Sequence, residues 1–90
     1  MATKALIREL KELVTKNDLV GLQMFYGEMQ QYEDPMPWDV IFKDVYIHAC
    51  LKKRHDIVGW LQTVYEGMDA MSKIALRQVF PYGRYLLAKG

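Results

Sequence analysis

Apolar residues recur every three or four positions along most of this chain, and that period predicts helices rather than strands. Leu6, Ile7, Leu10, Leu13 and Val14 form the first such stripe, with Arg8, Glu9, Lys11 and Glu12 between them. Thr3 is placed to cap this helix, and Thr15-Lys16-Asn17 reads as its end. Asp18 can cap a second helix by accepting from the free amides of its first turn. Leu19, Leu22, Phe25, Tyr26 and Met29 line one side of that helix, which fades at Gln31.

Tyr32 to Pro37 contains Pro35 and Pro37, each of which disfavours the α region for the residue before it, so this stretch reads as a loop. A third helix follows, with Trp38, Phe42, Val45, Tyr46 and Ala49 on one face and Asp39 or Asp44 as its cap. A fourth starts near His55 or Asp56. It carries Ile57, Val58, Leu61, Val64, Tyr65 and Met68 inward, and Gly67 is placed to end it. A fifth is expected from about Asp69 to Val79 with Met71, Ile74 and Ala75 inside, stopped by Pro81. Tyr82 to Lys89 follows as a last short helix that folds Tyr85, Leu86 and Leu87 onto the core.

The expectation is therefore an all-α fold of about five helices in stacked antiparallel helix pairs. Residues 1–90 form a single helical domain, since ninety residues build one core. No stretch approaches the roughly 20 apolar residues of a membrane span, and Met1 to Thr15 is too charged for a signal peptide, so no membrane partner is expected. A chain this short with Cys50 as its one cysteine cannot staple itself internally. It reads as an intracellular protein, cytoplasmic or nuclear, with Cys50 in the core. A homodimer bridged through Cys50, or one that buries a shared helical face, is the alternative.

The chain also repeats itself. Asn17-Asp18-Leu19-Val20-Gly21-Leu22 matches His55-Asp56-Ile57-Val58-Gly59-Trp60, 38 positions further on. Self-similarity at this period suggests repeated helix pairs. The segment Ala49 to Leu61 resembles a divergent ankyrin repeat. Ala49 and Cys50 match the family's small-residue pair, Asp56, Ile57 and Val58 its acid-aliphatic-aliphatic start, and Leu61 its core leucine. Leu6 to Phe25 is similar to a more degenerate copy, so the resemblance covers about half the chain. Lys53 stands where the family has its turn glycine, and Asp44-Val45-Tyr46-Ile47 where it has threonine, proline, leucine and histidine. An unrelated bundle of helical hairpins would bury the same stripes and stays open beside it.

The resemblance implies a non-enzymatic protein–protein interaction module, an adaptor or modulator of a larger partner. Members of the family bind through inter-repeat loops and the exposed face of inner helices. That points to Tyr32–Asp39 and the third helix, with Trp38, Asp39, Lys43 and Ile47 as the partner-binding residues. The residues read independently give no catalytic centre. His48 and Cys50 are two apart and so on different helix faces, and no phosphate-binding glycine loop or His-Glu-x-x-His motif occurs. His48, Cys50, His55 and Asp56 lack the paired spacing of a zinc site, so no metal or cofactor is expected.

Charge supplies the rival reading. Residues 17–44 hold six acids against Lys43 alone, whereas residues 70–90 hold Lys73, Arg77, Arg84 and Lys89 with no acid. Lys52, Lys53 and Arg54 form a second basic cluster. Lys52, Lys53, Arg54, Lys73, Arg77 and Arg84, with Tyr82 and Tyr85 interleaved, are the expected contacts of a nucleic-acid binder. Against this stands a pI of about 7.8, low for such a protein. A homo-oligomeric structural subunit is the third class.

Overall fold

A computed structural model describes residues 3–31 and 37–89, and these are helical throughout apart from turns. Six helices follow one another: α1 (Thr3–Thr15), α2 (Leu19–Met29), α3 (Trp38–Leu51), α4 (His55–Glu66), α5 (Ala70–Leu76) and α6 (Val79–Ala88). The sixth starts at Val79, earlier than the last short helix expected from Tyr82, and the fifth ends at Leu76; the reason lies at Pro81. It occupies the third position of α6. There its missing N–H leaves no intrahelical acceptor unpaired, so it starts a helix instead of stopping one.

α3 is the axis of the molecule, packed by α1, α4, α5 and α6. Its sequence explains this position. Ile41, Phe42, Val45, Tyr46, Ala49 and Cys50 are all buried, so one broad face covering about half the helix sheds water. Tyr46 is fully buried, stacked on Phe42 with ring centroids 5.6 Å apart and edge-on to Phe80 at 4.9 Å. Its hydroxyl has no hydrogen-bond partner among the described residues, a local cost set against the packing of the ring. Leu6, Leu10 and Val14 of α1, Leu22 and Met29 of α2, and Ile57 and Leu61 of α4 complete the core. α3 begins without a side-chain cap. Pro37 precedes it, Asp39 falls in its first turn, and neither Asp39 nor Asp44 caps it as the sequence suggests.

The turns α1–α2 and α3–α4 are the same structure. Asn17 and Lys53 are the two non-glycine residues with positive φ among the described residues, at 58° and 59°. In the first turn Asn17 N–H donates to the Val14 carbonyl at 2.9 Å and Asp18 N–H to Leu13 at 3.0 Å. In the second, Lys53 N–H donates to Cys50 at 3.1 Å and Arg54 N–H to Ala49 at 3.0 Å. Each helix thus ends in a left-handed residue whose neighbours pair the last carbonyls. Asn tolerates that conformation; Lys pays about 1 kcal/mol or more for it. The matching residues lie 36 positions apart, from Asn17 to Lys53, and not 38. The shared glycines Gly21 and Gly59 draw the sequence comparison two residues out of register. After the first turn the Asp18 carboxylate accepts from Gly21 N–H at 2.9 Å, whereas Arg54 at the equivalent position offers α4 no side-chain cap.

The last two helices depart most from expectation. Met71 and Ile74 are 77% and 71% exposed, Ala75 is exposed as well, and only Leu76 of α5 is buried. Leu86 of α6 is buried and Leu87 half-buried, but Tyr85 turns outward. The predicted inward face of the fifth helix is therefore an outward one.

Candidate functional site

The third helix contributes to two different places. Trp38 is half-buried against the core, with its ring edge-on to Tyr26 at 5.4 Å. Tyr26 in turn meets Trp60 at 5.6 Å and 90°. Trp38 therefore closes an apolar crevice between α2, α3 and α4 that also includes Leu22, Phe42 and Leu61. It is held by aromatic packing, and replacing it would disturb the fold. Asp39 beside it is half-buried. Residues 32–36 of the acidic aromatic loop, Met36 included, lie outside the described residues.

Lys43 and Ile47 belong elsewhere. They form one wall of an open groove whose other wall is Ala75, Gln78, Val79 and Tyr82 from α5, the following turn and α6. Ile47 is half-buried, Lys43 exposed and Tyr82 50% exposed. Met71 precedes Ala75 by one helical turn, so it extends the same face of α5. Ile74 adjoins it. The groove thus has an apolar floor and an exposed apolar shoulder, flanked by the acid-free charge of α5 and α6.

The basic residues divide by role. Lys53 donates its ammonium to the carbonyls of Leu86 and, at 3.0 Å, Leu87 at the end of α6. Arg54 donates Nε to the Val14 carbonyl at 3.2 Å and a terminal nitrogen to Thr15 at 2.6 Å, at the end of α1. Both cations thus donate to last-turn carbonyls at the negative end of a helix dipole. The α3–α4 turn therefore clamps α1 and α6, and these two charges face protein backbone. Lys52 is exposed. Lys73 is half-buried, and its carbonyl accepts from the Tyr65 hydroxyl at 3.2 Å. Arg77 is exposed in the α5–α6 turn, and Arg84 lies beside Gln62, Tyr65 and Glu66 across from α4. Of the six expected nucleic-acid contacts, Lys53 and Arg54 thus donate to backbone carbonyls.

Cys50 is completely buried, and burial pushes its thiol above the usual range. The inward position suits a core residue, and a thiol held protonated is a poor nucleophile. His48 faces α1 instead, with Nε2 2.8 Å from the Thr15 hydroxyl. Among the described residues no three His, Cys, Asp or Glu side chains come together as metal ligands. No helix there is long and apolar enough to cross a membrane.

One concave region went unread in the sequence. Lys4, Arg8, Lys11, Glu12 and Thr15 of α1 line it with His48 of α3, over Ile7. The 4-8-11-15 spacing on one helix face was the available signal. What hid it was the position of His48, which only the packing of α1 on α3 brings alongside. No family model, curated protein or solved structure matches the chain.

Proposed function

We propose that this chain is a non-enzymatic protein–protein interaction module whose contact surface is the groove between α3 and α5–α6. One observation carries the reading: Ile47, Ala75, Val79 and Tyr82 form an apolar trough beside Met71 and Ile74, two large side chains left almost wholly in water. Exposed apolar side chains gathered beside a trough are what a partner's anchors need. Lys43 at the wall and Lys73, Arg77 and Arg84 on the same two helices and their turn favour a partner segment that brings negative charge with its apolar anchors. Trp38 leaves this surface for the core, so the surface moves from the loop to the later helices.

The ankyrin-like reading forms part of the proposal. Its support is the pair of identical turns at Asn17 and Lys53, the second with a left-handed Lys at the family's glycine position. In that reading α1–α2 and α3–α4 are two divergent helix pairs. The nucleic-acid reading is weakened because Lys53 and Arg54 are committed to helix ends.

The test replaces Ile47 and Ala75 together by Asp. Both sit on the groove wall and neither is fully buried. Far-UV circular dichroism should be unchanged, while affinity for a captured protein partner should fall at least about tenfold, the loss of ~1.4 kcal/mol of buried contact. A partner bound equally well by both proteins would reject this surface.

A further inference from the structure

We propose that the α1–α3 face is a phosphate-monoester site that reads a phosphorylated side chain on a protein segment. Lys4, Arg8 and Lys11 line it along one face of α1, against the single carboxylate of Glu12. His48 closes it from α3, hydrogen-bonded to the Thr15 hydroxyl at 2.8 Å. Lysine, arginine, histidine and a hydroxyl donor together are the chemistry that binds a dianionic phosphoryl group.

Burial lowers the His48 pKa first, and the positive charges of Lys11 and Lys52 lower it further. Two cations thus act on the ring, and a bound dianion would oppose their effect. Asp44 lies one turn before His48 on α3 and Glu12 stands across the groove; neither contributes to the shift.

The monoester is favoured over a nucleic-acid backbone for two reasons. Thr15 and His48 meet at 2.8 Å and Lys11 lines the same wall, which suits a focal double charge rather than singly charged diesters spaced along a strand. Among the described residues no Phe, Tyr or Trp lines the groove, so a strand's bases have only the small imidazole of His48 to stack on. The groove is shallow and the one apolar side chain among its described lining is Ile7, so it has little to grip the body of a small metabolite. A protein segment supplies its own scaffold, and Lys4 and Arg8 continue along α1 toward neighbouring acids. Only this choice of source rests on the protein-binding reading. The groove at α5–α6 plays no part, so either site can fail alone.

The experiment is an NMR titration of the purified chain, following the His48 ring and the amides of residues 4–15. The probes are inorganic phosphate, an acidic phosphoserine peptide, its unphosphorylated form and a DNA duplex. The phosphopeptide should shift His48 saturably and bind at least about tenfold more tightly than inorganic phosphate or the unphosphorylated peptide. Arg8→Gln with Lys11→Gln should abolish the difference, while Lys89→Gln, at the exposed end of α6, should leave it intact. Sulfate keeps its charge while histidine titrates, so its binding should tighten as the pH falls through that range. A His48 ring that does not move with the phosphopeptide overturns the proposal. So does a phosphopeptide that binds no better than free phosphate, or a DNA duplex that binds more tightly than either.

Discussion

Replacing Gly83 by Ala should destabilise the protein by about 1–3 kcal/mol, although alanine is the better helix former. Gly83 is buried inside α6 where that helix crosses α3. A methyl group there would meet the ring of Tyr46 and approach the Cys50 sulfur at 2.9 Å. Both side chains are fully buried, and Tyr46 is held between Phe42 and Phe80, so neither can swing away. The helices must separate or the ring must leave its rotamer. Gly59 in α4 supplies the control, because a methyl group there meets nothing within 4 Å. Gly59→Ala should stabilise by about 0.5–1 kcal/mol through propensity and a less free unfolded chain. Urea unfolding of the two variants should therefore move in opposite directions. If both are stabilised, α6 does not approach α3 through Gly83.

Arg54→Ala should cost about 2 kcal/mol, the range of a charge-assisted hydrogen bond. The arginine joins the α3–α4 turn to the Val14 and Thr15 carbonyls, about 40 residues earlier in the chain. Removing it takes a charged donor from both carbonyls and leaves α1 less firmly held by the α3–α4 turn, although Asn17 N–H still pairs Val14. Arg54→Lys should not rescue the loss, because one ammonium cannot reproduce a planar fork on two successive carbonyls. Thermal unfolding followed by circular dichroism measures both variants. Full rescue by Lys would mean that charge at the helix end, and not the paired geometry, sets the contribution.

The first four helices were legible because their apolar stripes coincide with what they bury. Leu6, Leu10 and Val14, then Leu22 and Met29, then Ile57, Val58 and Leu61 all point where the period places them. The last helices were not, because α5 is seven residues long and buries Leu76 alone. Over so short a span, periodicity does not say which apolar residues face inward. Pro81 stops a helix or starts one according to where the helix begins, and tertiary packing of Val79 and Leu86 decides that. Lys53 and Arg54 read as a solvated helix end or a basic patch, because the carbonyls that engage them come from α6 and α1. Trp38 read both as a seal at the start of the third helix and as an interface anchor, and its packing on Tyr26 supports the seal. His48 gains Lys11 as a neighbour only through the packing of α1, whereas Lys52 stands one turn along.

The central claim is that this chain acts by binding another protein. Tagged protein can be exposed to cell extract in two halves, one treated with nuclease, and the bound material identified by mass spectrometry. A protein partner held at fixed stoichiometry in both halves, and released by Ile47→Asp with Ala75→Asp, is the result this account predicts. Partners that disappear on nuclease treatment, with nucleic acid recovered from the untreated half, would contradict it.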